Sequence, residues 1–86
     1  MNGLTTQELN TIRDVRIHAI LGLPDNGRRV SMPCPIHKGR NPNFNVYPDN
    51  SFHCFKCGAN GSGAIDFCQA LGYSFVESLE ELVKYV

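Results

Sequence analysis

Cys34-Pro35-Ile36-His37 and Cys54-Phe55-Lys56-Cys57 are two pairs of soft metal donors, each with two residues between its members. Sixteen residues separate the pairs. Zinc takes four nitrogen or sulfur donors in a tetrahedron, and a tight turn of this spacing aims two donors at one ion. Three thiolates and an imidazole suit borderline-soft Zn²⁺, whereas Mg²⁺ and Ca²⁺ want oxygen. Pro35 follows the first donor and Gly58 the last, where the chain must turn and backbone N–H groups can face sulfur. The expectation is one structural zinc on Cys34, His37, Cys54 and Cys57, closed to water and substrate. A set with Cys68 in place of His37 stays open, although Cys68 lies on an apolar helical stripe and reads as a small hydrophobe. A redox site at Cys54 and Cys57 is the rival, but it calls for a βαβ context and leaves Cys34 and His37 without a role.

The segment between the pairs reads as a hairpin. Phe44-Asn45-Val46-Tyr47 and Ser51-Phe52-His53-Cys54 alternate like strands around Pro48-Asp49-Asn50. On this alternation His53 points away from Cys54. Upstream, Thr5 with Glu8 three residues on makes a capping box. Leu9, Ile12, Val15 and Ala19 then carry one helix to Leu21-Gly22. His18 on that helix reads as surface or core rather than ligand. Arg28 to Met32 can form a short strand. Downstream, Gly58 to Gly63 reads as a glycine-rich loop, and Ala64 to Leu71 as a helix stopped by Gly72. A last helix opens at Ser74 with Glu77 and places Phe75, Leu79, Leu82 and Val83 on its apolar side. The fold class is therefore small α+β: a zinc ribbon with a short antiparallel β-sheet, one N-terminal helix and two C-terminal helices.

With 86 residues, the chain reads as a single domain, 1–86, too short for a polymerase or kinase core. Apolar residues make up 42% and charged ones 19%, which is globular, and a core this small benefits from a metal staple. No apolar run approaches the ~20 residues that span a bilayer. The first residues lack a secretion signal, so the expected location is the cytoplasm, where disulfides rarely persist. Net charge is zero but unevenly spread. Arg13 to Lys56 holds seven basic against three acidic side chains, and the segment after Cys57 holds four acidic against one basic.

Lys38, Arg40 and Lys56 flank the donors, and Arg28 and Arg29 lead toward the first donor turn. Cations interleaved with aromatic rings suit single-stranded nucleic acid, with charge on phosphates and rings on bases. Phe44 and Phe52 read as the core face of the hairpin. Phe55, at a turn tip between two donors, is the candidate exposed ring.

Cys34-Pro-Ile-His37-Lys-Gly-Arg-Asn-Pro42-Asn-Phe44 followed by Phe52-His-Cys54-Phe-Lys-Cys57-Gly58-Ala59-Asn-Gly61 resembles the zinc-binding domain of bacterial and phage DNA primases. The likeness covers about residues 12 to 83 and includes Ile65-Asp66-Phe67 at the helix after the glycine loop. It implies that Cys34, His37, Cys54 and Cys57 carry the zinc. It implies that the ribbon binds single-stranded DNA template and helps select the initiation site, while a separate polymerase domain makes the RNA primer. Lys38, Arg40 and Lys56 then fall beside the template-facing strands. The sequence departs from the family pattern at Gly39, where an acidic residue is usual, and at Lys56, where a small one is. Its glycine loop is also one residue longer. No acidic catalytic motif follows, so the chain is expected to be non-catalytic by itself, its partners being template, polymerase domain or replicative helicase, with no membrane. The rival in another class is a protein-interaction adaptor that docks through the acidic C-terminal helices bearing Glu77, Glu80 and Glu81.

Overall fold

The computed structural model describes residues 5–86. Its elements run α1 (Thr6–Arg13), α2 (Ile17–Leu21), β1 (Val30–Met32), β2 (Phe44–Val46), β3 (Ser51–Cys54), β4 (Asn60–Ser62), α3 (Ala64–Ala70) and α4 (Phe75–Leu82), and a 3₁₀ turn at Val83–Tyr85 follows. The strands form one antiparallel sheet in chain order β1-β2-β3-β4.

Register decides what each face of the sheet carries. Val30, Val46, Phe52 and Gly61 form one row across the sheet, and Met32, Phe44 and Cys54 another. Their side chains face the helices. Phe44 and Phe52 pack with Phe67 of α3 in a triangle of ring centroids 5.5–5.9 Å apart. Ile12, Val15, Ile17, Cys34, Ala64, Cys68, Leu79 and Leu82 belong to the same buried cluster. The intervening row, Ser31, Asn45, His53 and Asn60, belongs to the opposite face and is polar throughout.

Both expected capping boxes are present, Thr5 with Glu8 and Ser74 with Glu77. Each satisfies two of the N–H groups left orphaned at a helix start. The single N-terminal helix expected over 5–21 is in fact two. The chain leaves the helix at Asp14, runs extended through Arg16, and starts again at Ile17. No proline or glycine causes the break. The carboxamide of Asn50 in the β2–β3 turn donates to Val15 O and accepts from Ile17 N, both at 2.9 Å. Those are backbone groups that a continuous helix pairs internally, so a tertiary contact has replaced local ones.

The glycine-rich loop also contains a strand that the sequence reading missed. β4 has no hydrophobic alternation, being Asn60-Gly61-Ser62. Gly61 lies opposite Phe52, and a Cβ there would come within 2.9 Å of the Phe52 ring. Only glycine lets β4 close over that ring without a shift. On α4 the buried side is Ser78, Leu79 and Leu82, whereas Phe75 and Val83, expected on the apolar side, remain 46% and 37% exposed.

Candidate metal centre and nucleic-acid interface

Two turns of related construction converge at the Met32–Phe44–Cys54 end of the sheet. In the first, Gly39 N donates to Cys34 O at 3.1 Å; in the second, Gly58 N donates to Cys54 O at 2.9 Å. The residue directly after the second donor adopts left-handed backbone in both: Lys38 at φ 53° and Gly58 at φ 79°. That conformation suits glycine and is strained for lysine. Gly39 has a separate reason to be glycine, because a Cβ there would collide with Nε2 of His37.

The four donor atoms of Cys34, His37, Cys54 and Cys57 all lie within 4.8 Å of one another. Cys34 Sγ and Cys57 Sγ are 3.9 Å apart, and Cys54 Sγ is 3.5 Å from Nδ1 of His37. A zinc tetrahedron with Zn–S near 2.3 Å has sulfur–sulfur edges of about 3.8 Å and sulfur–nitrogen edges of about 3.6 Å. The cluster thus matches a single tetrahedral ion and is far too wide for a disulfide. Its donor set of three sulfurs and one imidazole selects zinc over hard cations. Cys34 and Cys54 are buried, His37 and Cys57 exposed.

Burial pushes the Cys34 thiol up, with the N–H groups of His37 and Ile36 only partly offsetting it. Burial also acts upward on Cys54, but the N–H groups of Cys57 and Lys56 and the adjacent thiols outweigh it, leaving Cys54 below the ordinary thiol value. Cys57 N lies 3.4 Å from Cys54 Sγ, an N–H···S contact of the kind that orients and tunes a metal-bound sulfur. Cys68 stands outside the cluster, buried in the core with burial and nearby Glu81 raising its thiol.

Residues 5–86 match the sequence profile of the CHC2 zinc finger family. The chain belongs to that family. It is 39% identical to the DNA primase of Halalkalibacterium halodurans over 98% of its length, covering 15% of that protein. Against the DNA primase of Escherichia coli K12 it is 41% identical over 77% of its length, and against that of Chlamydia pneumoniae 40% over 72%. The chain spans only 11–15% of the length of these three relatives. It is a zinc-finger domain of DNA primase type, and the metal is one structural zinc. Among the described residues, no helix is long and apolar enough to cross a membrane.

The cations named from sequence divide into two groups. Lys38 and Lys56 sit on the donor turns, with Arg40 close after the first, and all three are exposed. Arg28 and Arg29, expected to lead into the first donor turn, stand at the other end of β1. The metal lies beyond Met32, whereas they precede Val30, a strand length of about 10 Å away. Among the described residues, none of the five forms an ion pair.

Phe55 is 64% exposed, as its place between donors suggested. Its ring stacks on His53, with centroids 4.5 Å apart and planes 18° from parallel. His53 does face away from the core, and its pairing with Phe55 went unread. The signal was available, since residues i and i+2 of a strand share a face. His18 proves to be core, 1% exposed, with Nδ1 3.9 Å from a carboxylate oxygen of Asp25.

Proposed function

We propose that this domain recognises single-stranded DNA template during primer synthesis, positioning it for a polymerase domain that does the chemistry. The observation that carries this reading is the exposed cations Lys38, Arg40 and Lys56 on and beside the donor turns, none in an ion pair among the described residues. Lys38, Arg40 and Lys56 would take phosphates at the metal end. Arg28 and Arg29 would take them further along the β1 edge, so that a strand of a few nucleotides crosses the sheet. Phe55 stands beside this path. Cys34, His37, Cys54 and Cys57 would hold the zinc that fixes both turns. The zinc itself supplies stability and shape, since four protein donors leave no open position.

Supporting this reading, the relatives described above are DNA primases. The test is a titration of the zinc-loaded chain with short single-stranded DNA at several salt concentrations. Each phosphate contact contributes roughly −0.7 to the slope of log affinity against log salt for single strands. Lys56→Ala and Arg40→Ala should each flatten that slope by about one such contact and weaken all sequences alike. Unchanged affinity and slope in both variants would sink the assignment.

A second reading, a docking adaptor for a polymerase domain or helicase, draws on a different observation. Leu71, Tyr73, Phe75 and Val76 are exposed together where α3 turns into α4, next to acidic Glu77 and Glu80. Salt-insensitive association with such a domain, and no affinity for DNA, would select it.

A further inference from the structure

Exposed Phe55 stands out against the sheet face it occupies. The outward row is Ser31, Asn45, His53 and Asn60, all polar. Asn45 is already engaged, accepting from Ser31 Oγ and donating to Asn43 O. Among the described residues, the large exposed apolar side chain beside that row is Phe55. One face of that ring covers the imidazole of His53, and its high exposure leaves the other to solvent. Such a ring gains little from burial, yet its backbone is tied to the sheet. Phe55 N donates to Asn43 O at 2.9 Å, extending the β2–β3 ladder into the donor turn, and Cys54 and Cys57 flank it on either side. A flat ring, backed by a second flat ring and fixed at a metal knuckle, is preorganised for a planar ligand. Lys56, the next residue, offers a cation for the phosphate attached to that ligand.

Resting on the template reading above, we propose that Phe55 is a stacking subsite for one unpaired nucleobase, with His53 as the positioning residue that holds the ring. Every base has a π-face, so the subsite discriminates single strand from duplex rather than one base from another. It therefore gives affinity without sequence preference.

The chain contains no tryptophan, so Phe55→Trp reports this position alone. The zinc-loaded variant is titrated at low salt with a short deoxythymidine oligomer, with an abasic oligomer of equal length and with a duplex. The oligomer with bases should quench the indole several-fold, while the abasic strand and the duplex should not. In the parent chain, Phe55→Ala should lower affinity for the oligomer roughly tenfold with an unchanged salt slope. His53→Ala should also weaken binding, but add little once Phe55 is alanine, as a positioning role requires. One zinc per chain by native mass spectrometry certifies each variant's fold, and Phe55→Leu replaces the alanine variant if that one loses metal. Equal quenching by the abasic strand overturns the subsite, as does full affinity in the Phe55 variants; salt-dependent binding that persists leaves the template reading standing. Absence of binding to any single strand overturns both.

Discussion

The two ends of the sheet are held by different chemistry. At the Met32–Phe44–Cys54 end, two turns converge on four metal donors. At the Val30–Val46–Phe52 end, the β2–β3 turn is fastened to the helices by polar side chains. Asn50 bridges Val15 and Ile17, and Arg16 grips Asp25 with two nitrogens while donating to Pro48 O at 2.7 Å. A metal supplies its strength through a few strong bonds to separated donors. Hydrogen-bonded fasteners each contribute little, and matter most when their loss strands a buried partner. The metal end should therefore fail all at once, and the turn end by degrees.

Removing the metal should have the largest effect. Structural zinc contributes roughly 10–16 kcal/mol of apparent folding energy, more than a domain of this size can lose. Chelation, or Cys54→Ser, should abolish the cooperative melt followed by circular dichroism. Retention of the full melt would show that the core needs no ion.

Next comes Asn50→Ala, which leaves Val15 O and Ile17 N without partners in a buried setting. At about 1–3 kcal/mol for each of the two stranded groups, the loss should fall within about 2–6 kcal/mol in urea unfolding. Asn50 also sits at φ 71°, so Asn50→Gly removes the same bonds without the backbone strain. A loss in the glycine variant nearly as large as in the alanine variant assigns the effect to the bonds. Zinc affinity should hold in both, which is how the two ends are shown to be separable.

Arg16→Ala should cost less than Asn50→Ala at neutral pH, because the pair with Asp25 is partly exposed and screened by solvent. Its signature is the pH dependence. The Arg16 guanidinium holds the Asp25 carboxyl below its ordinary value. A depressed carboxyl contributes stability above its unfolded pKa and loses it as pH falls through the folded value. The variant's deficit should therefore shrink as pH drops below about 4, down to what the bond to Pro48 O contributes. A deficit constant with pH would assign Arg16 to its bond with Pro48 alone.

The smallest effect compares the two donor turns with each other. Lys38→Gly gives the first turn the residue type that the second has in Gly58, and relieves left-handed backbone worth roughly 1 kcal/mol. Stability should rise slightly while affinity for single-stranded DNA falls. A fall in both would mean that Lys38 packs rather than binds.

The same contrast explains what could be read in advance. Donor spacing, flanking Pro35 and Gly58, and the alternation from Phe44 to Cys54 are local signals, and the metal end and hairpin follow from them. The break at Asp14–Arg16 carried no local mark. It depends on Asn50, more than thirty residues away, and helical periodicity across 9–19 argued the other way. β4 was invisible for a related reason, since Asn60-Gly61-Ser62 has no alternation and becomes a strand only because β3 offers an edge and Phe52 needs a cover. Arg28 and Arg29 were placed near the metal by closeness in sequence, whereas an extended strand carries its ends apart.

Each donor turn contributes one ligand rooted in the protein and one at the rim: Cys34 and Cys54 are buried, His37 and Cys57 are not. The ion's traffic with solution is thus lopsided. A scavenging thiol or an oxidant reaches the sulfur of Cys57 before any other, and a competing metal enters across the same edge. Loss of a zinc held here would therefore be expected to begin at His37 and Cys57, with Cys34 and Cys54 the last to let go.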